Sequence, residues 1–199
     1  MKTVFVDVDT QIDFLFPAGA LYVPGAGRLL PVIARLNHFA AERGIPVIST
    51  TDAHSENDPE FRTWPPHCVA GTAGQLKPSA TLLDHRSKLG SRPGAAVELA
   101  AQIVVEKQAL DVFTNPNFRA LLDRLAAARY VVYGVATDYC VRCALMGLLD
   151  AGKQVTVVTD AIAAVKPEDG ARALAEFTAR GGSRTTAGEL ESSGAPPAA

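Results

Sequence analysis

Four apolar runs in this chain are each closed or followed by a side chain able to do chemistry: Asp9, then Asp52 with His54, then Lys107, then Cys140. Cys140 has the most explicit setting. It lies in Gly134-Val-Ala-Thr-Asp-Tyr-Cys140, where an apolar run passes directly into a helical pattern. Thr137 or Asp138 can cap that helix and leave the thiol in its first turn. There the helix dipole and unpaired N–H groups favour a thiolate, lowering its pKa, and can receive an oxyanion. Standing alone, the same cysteine reads equally well as a small buried hydrophobe. Cys143 completes Cys140-Val-Arg-Cys143, a spacing that also suits thiol–disulfide exchange. Redox proteins of that kind, however, have no need of the aspartates, the lysine or the histidines.

Asp52-Ala-His54 is followed by Glu60 and by Trp64-Pro-Pro-His67. Alternate residues of an extended segment point the same way, so Asp52 and His54 can address one ion, and His67 returns after a stretch stiffened by two prolines. Two histidines and a carboxylate with open positions suit Zn²⁺, Fe²⁺ or Mn²⁺. The bland alternative is a polar loop that happens to hold two histidines. His38 and His85 read as structural or solvated. Lys107, beside Glu106, is either a lysine snorkelling from a strand end or a cation that holds Asp9 ionised near the thiol.

The elements that must position these groups follow from periodicity. Thr3–Asp9, Ile45–Thr51, Ile103–Lys107, Tyr130–Val135 and Gln154–Thr159 are continuous apolar or β-branched runs, with Ser183–Thr186 as a short sixth. Continuous rather than alternating runs suit strands covered on both faces. Between them, 27–43, 117–129, 138–151 and 168–180 carry helical stripes, several closed by glycine. The predicted fold is therefore α/β: three layers, doubly wound and Rossmann-like, with a mostly parallel sheet of about six strands and helices on both faces. In such sheets ligands bind beyond the carboxyl ends of the strands, where these reactive side chains fall. A lone strand-end aspartate is usually a turn residue, but four reactive types at successive ends carry more weight. Residues 53–89 have no sustained period, and an irregular segment of that length is usually functional or disordered. One domain over 1–190 and a flexible tail over 191–199 are expected.

Composition narrows the function. The 199 residues are 48% hydrophobic and 20% charged, which fits one globular domain with a proper core and excludes disorder as the main state. A formal net charge of −2 without a basic block argues against nucleic acid. No apolar run approaches the ~20 residues needed to cross a bilayer. Residues 1–10 lack a secretory leader's apolar stretch, and three cysteines make no disulfide framework, so a reducing cytoplasm is expected.

Asp9-Thr-Gln11-Ile-Asp13-Phe14, Asp52-Ala-His54, Trp64-Pro-Pro-His67-Cys68, Gly71-Thr-Ala-Gly74, Lys107 and Gly134-Val-Ala-Thr-Asp-Tyr-Cys140 together resemble the isochorismatase-like cysteine hydrolases, and among them the nicotinamidases (pyrazinamidases). The resemblance runs from about residue 3 to 190. It implies a catalytic triad of Asp9, Lys107 and Cys140, and an oxyanion hole made by the N–H groups of Ala136 and Cys140. It also implies a cis peptide between Val135 and Ala136. It implies one divalent metal ion, zinc before iron or manganese, on Asp52, His54 and His67, with Glu60 matching a fourth ligand found in some relatives. Phe14 and Trp64 would sandwich a pyridine ring, beside Tyr139. The implied reaction converts nicotinamide to nicotinate and ammonia through a thioester; another small amide or carbamoyl compound is the alternative. Assembly of like chains is compatible with the resemblance. Three departures bear on substrate and subunit contacts: residues 55–58 lack a histidine that several nicotinamidases have there, 108–118 lack a common Tyr-Ser-x-Phe, and 83–100 look longer than in compact members.

Overall fold

The computed structural model describes residues 2–193. The strands are β1 (Thr3–Val8), β2 (Val47–Asp52), β3 (Arg86–Leu89), β4 (Gln102–Lys107), β5 (Arg129–Val135), β6 (Gln154–Ala163) and β7 (Ser183–Thr185). The α-helices are α1 (Ile12–Leu15), α2 (Leu30–Glu42), α3 (Phe118–Leu125), α4 (Cys140–Asp150), α5 (Pro167–Ala179) and α6 (Ala187–Ser192). All seven strands are parallel and ordered β3-β4-β2-β1-β5-β6-β7.

Every residue of β1 and β2 is buried, as their continuous runs require. Val4, Val6 and Val8 of β1 pack on one face with Leu121 of α3, Val141 and Leu145 of α4 and Phe177 of α5. Phe5 of β1 and Tyr133 of β5 turn to the other face and pack with Ile33, Leu36 and Phe39 of α2 and Ala187 of α6. Three layers result. The strand order reverses at β1, so the crevice beyond the carboxyl ends of β1 and β5 is the expected ligand site.

The structure departs from the sequence expectation at the edges. β3 lies within the segment that shows no period. It pairs on one side only, and its exposed Arg86 and Lys88 leave it no apolar run. β6 continues through Ala163, past the expected end at Thr159, with a register shift against β5 between Val132 and Gly134. The expected domain boundary at residue 190 falls inside α6. A capping box of Thr186 and Glu189 starts that helix, and Arg35 Nε meets the Glu191 carboxylate at 2.7 Å, so Glu191 and Ser192 are helical rather than tail. The rest of the expected tail, 194–199, lies outside the described residues. Among the described residues no helix is long and apolar enough to cross a membrane.

Candidate active site

β1 stops at Val8, and Asp9 turns out of the strand with a φ of 48°. The side chain of Thr50 on β2 takes over from the backbone ladder: its Oγ1 accepts from the Asp9 N–H at 3.1 Å and donates to Asp9 Oδ1 at 2.6 Å. Asp52 and Lys107 are register partners across β2 and β4 and end their strands together. Lys107 Nζ therefore lies 2.9 Å from Asp9 Oδ2, in contact with Asp52 Oδ1, and 3.6 Å from Cys140 Sγ. All four side chains are buried. Donor atoms of Asp9, Asp52 and Cys140 lie within 4.8 Å of one another.

Electrostatics follow from this packing. Burial opposes the charge on Lys107, but the Asp52 and Asp9 carboxylates outweigh it and hold the ammonium protonated well above its ordinary range. Burial also works against the Asp52 carboxylate. There Lys107 and His54 prevail, and its pKa is lowered. At Asp9 burial wins over the pull of Lys107, and its pKa is raised. Burial likewise lifts the Cys140 thiol well above its ordinary value; Lys107 opposes this, while Asp9 and Asp52 add to it. The expected lowering of the thiol pKa is thus reversed, because desolvation beside two carboxylates outweighs the helix terminus.

Cys140 is the first residue of α4, yet neither Thr137 nor Asp138 caps it as the sequence suggested. Asp138 reaches away from the helix and accepts from the N–H groups of Val165 and Lys166, both at 3.0 Å, clamping the turn before α5. The Ala136 carbonyl accepts from Tyr139 and Val141. Among the hydrogen bonds of the described residues, the Ala136 and Cys140 N–H groups have no partner. The peptide between Val135 and Ala136 is cis. Just before it, Gly134 has a φ of 118°, and a Cβ there would stand 2.1 Å from the Val8 carbonyl oxygen, so only glycine lets β5 approach β1 this closely.

Beside this group, Asp52, His54 and His67 bring donor atoms within 4.8 Å of one another. The Nε2 atoms of His54 and His67 each lie 3.9 Å from Asp52 Oδ2. His67 Nδ1 sits 2.8 Å from the Pro65 carbonyl; as donor to that oxygen it leaves Nε2 with its lone pair free. Both ring nitrogens of His54 are buried without a hydrogen bond, although the Asp58 carboxylate stands 3.1 Å from Nδ1, out of line. A buried imidazole nitrogen without a partner, facing a carboxylate and a second imidazole, fits a divalent cation. Glu60 stands on the short turn Pro59–Arg62 and lines the adjoining pocket, outside the converging trio, with burial raising its pKa.

The irregular 53–89 segment is held in place by specific bonds. His54 and Val69 form a parallel bridge, and the buried Asp13 carboxylate accepts from the N–H of Cys68 at 2.7 Å. Phe14, Trp64 and Tyr139 all line a pocket of about 520 Å³, counted to its open mouth, together with Cys140 and Ala136. Phe14 packs on His67 with ring centres 5.5 Å apart, and Trp64 meets Tyr139 edge-on at 5.2 Å. Leu21, Tyr22, Val23, Leu110 and Val165 complete the wall, and no sequence signal marks them. Phe61, which packs on both histidines, and Asp58 also escaped the sequence reading. Cys143 is a free, half-buried thiol that does not line the pocket.

A parallel sheet with an aspartate, a lysine and a cysteine gathered at its switch point, next to a His-His-Asp cluster, defines a class. The Isochorismatase domain family matches residues 3–189, and the chain belongs to that family. Within it the chain is nicotinamidase-like. It is 29% identical to the nicotinamidase of Escherichia coli K12 over 92% of this chain and 94% of that one. The crystal structure of pyrazinamidase of Pyrococcus horikoshii in complex with zinc superposes with a TM-score of 0.78 at 30% identity, covering 94% of this chain and 99% of that one. N-carbamoylsarcosine amidase from Thermoplasma acidophilum is also similar, with a TM-score of 0.77 at 27% identity over 96% and 99% of the two chains.

Proposed function

We propose that this protein hydrolyses nicotinamide to nicotinate and ammonia, with Cys140 as nucleophile and Asp9 as the proton carrier. The observation that carries the reading is the position of Lys107 Nζ, in contact with Asp9, Asp52 and Cys140, the last two of which line a largely apolar pocket. Burial raises the pKa of both Asp9 and Cys140, so Asp9 is a stronger proton acceptor than an exposed carboxylate, which is the role a general base needs. Asp9 takes the thiol proton, and Cys140 Sγ attacks the carboxamide carbon. The carbonyl oxygen becomes an oxyanion received by the Ala136 and Cys140 N–H groups, where losing one donor typically costs ~100-fold or more in rate. Asp9 returns the proton to the departing nitrogen, the C–N bond breaks, and ammonia leaves a thioester. A water molecule then gives a proton to Asp9 and adds to the thioester carbon; expulsion of the thiolate forms the carboxylic acid, which ionises to nicotinate. Asp9 restores the thiol. Lys107 keeps its charge throughout and offsets the negative charge on Asp9 and Asp52.

Asp52, His54 and His67 are the residues that would hold the divalent ion, with Glu60 at hand in the pocket wall. When bound, such an ion supplies a Lewis acid for the ring nitrogen, or acidifies a water that Glu60 can meet. Phe14 and Trp64 would hold the ring by its faces, and Tyr139 would close the rim. Three free thiols suit a reducing compartment, and we place the protein in the cytoplasm. The similarity to N-carbamoylsarcosine amidase favours a second reading, in which the same triad opens a small carbamoyl compound.

Ammonia release from a panel of amides, measured on zinc-loaded enzyme, separates the two. Nicotinamide is expected to be turned over fastest, with Cys140→Ala inactive. No ammonia from nicotinamide, with release from a carbamoyl compound, overturns the first reading in favour of the second.

A further inference from the structure

Gln11 is completely buried and stands two residues beyond Asp9. Its side chain makes three hydrogen bonds, all to backbone. Oε1 accepts from the Asp52 N–H at 2.7 Å, Nε2 donates to the Asp52 carbonyl at 2.9 Å, and Nε2 also donates to the Gln75 carbonyl at 2.8 Å. The β1–β2 ladder stops at Asp7 and Ser49, while Asp52 still pairs with Lys107 on its β4 side. At Asp52, then, the β1 side of the strand has no backbone partner, because Asp9 has turned away. The Gln11 amide fills that place, offering one acceptor and one donor to the N–H and C=O of a single residue, as a neighbouring strand would.

The residue so held is the pivot of the site. One Asp52 oxygen contacts Lys107, and the other faces His54 and His67. A small rotation of its backbone would move the carboxylate away from one group or the other. The third bond ties the same amide to Gln75, on the return limb of the loop that delivers His67.

We propose that Gln11 is a positioning residue: its amide completes the sheet at Asp52 and so sets the carboxylate shared between Lys107 and the two histidines. This rests on the reading of Asp52, His54 and His67 as metal ligands. Partners of that kind typically change metal affinity by about 10–100-fold when removed.

The test compares zinc affinity, by competition with a chromogenic chelator, and the thermal midpoint of the metal-free protein. Gln11→Met keeps the bulk and removes all three bonds. Gln102→Met is the matched control, since Gln102 is equally buried and also makes three bonds, to Leu83, Ser49 and Thr81, at the opposite end of β4. Both variants are expected to melt earlier, but only Gln11→Met should bind zinc about 10–100-fold more weakly. If Gln11→Met does not fold, Gln11→Asn, one methylene shorter, should show the same direction. Unchanged zinc affinity on replacing Gln11, or an equal loss in Gln102→Met, overturns the inference while leaving the metal reading intact. Failure of the wild-type protein to bind zinc or another divalent ion overturns the metal reading, and this inference with it.

Discussion

Cys140 and Asp9 both hold their protons more firmly than exposed groups for the same reason: each is buried, and desolvation outweighs the pull of the Lys107 charge they share. Lys107 supplies one positive charge against three groups that can be negative. Asp9→Asn keeps the shape and removes the proton acceptor, so kcat should fall by about 10²–10⁴-fold in an ammonia-release assay. Cys140→Ala should abolish turnover with an unchanged circular dichroism spectrum, whereas Cys143→Ala should retain most activity; equal loss in both would favour the paired-thiol reading. The sign of the pH dependence follows from Asp9. Its raised pKa means that it takes up a proton at a higher pH than an exposed aspartate would, and activity is lost as pH falls through that value. The acid limb of kcat/KM should therefore lie at higher pH than an exposed aspartate would give. It reports the Asp9–Cys140 pair rather than either group alone.

At the scale of elements, the site depends on how closely β1 and β5 approach. Gly134→Ala would place a methyl group against the Val8 carbonyl, in a backbone region that disfavours side chains. We expect a loss of about 3 kcal/mol or more in urea unfolding, with activity reduced beyond what the unfolded fraction explains. The Asp138 clamp is a second such device, joining the turn before α4 to the one before α5. Asp138→Ala takes the acceptor from two backbone N–H groups, one part-buried and one open to water, and should cost about 0.5–1.5 kcal/mol. Zinc affinity should stay unchanged, since Asp138 lies outside the ligand cluster.

For the whole molecule, a bound cation adds to folding free energy because the ligand cluster exists only when β2 and the 53–89 segment are in place. A free metal concentration of 100 times Kd contributes about 2.7 kcal/mol, so the thermal midpoint should rise with added zinc and fall on chelation. His54→Ala or His67→Ala should remove that concentration dependence. The chelated protein should lose nicotinamide hydrolysis yet still be alkylated at Cys140 by a small electrophile. Full activity after exhaustive chelation would sink the metal assignment. Benzamide, which lacks the ring nitrogen, should be a poor substrate, and equal rates on the two amides would refute the ring-orienting role.

Much of this was legible in the chain itself. Continuous apolar runs define β1, β2, β4 and β5, because a strand covered on both faces must be apolar throughout. Reactive side chains at their ends marked the candidate site, and Asp52-Ala-His54 with a Pro-Pro-His turn marked the cluster of one aspartate and two histidines. Those signals are local, written within a few residues of one another. What the tertiary structure decided is non-local. That Lys107 contacts Asp52 as well as Asp9 depends on β2 lying between β1 and β4. The upward shift of the Cys140 thiol depends on burial beside carboxylates contributed by two other strands. Asp138 spends its carboxylate on the turn between β6 and α5 rather than on its own helix, and β3 forms only because β4 offers it an edge. Periodicity records which face of an element is buried; which partner meets it, and how much water is removed there, is set only when the strands are assembled.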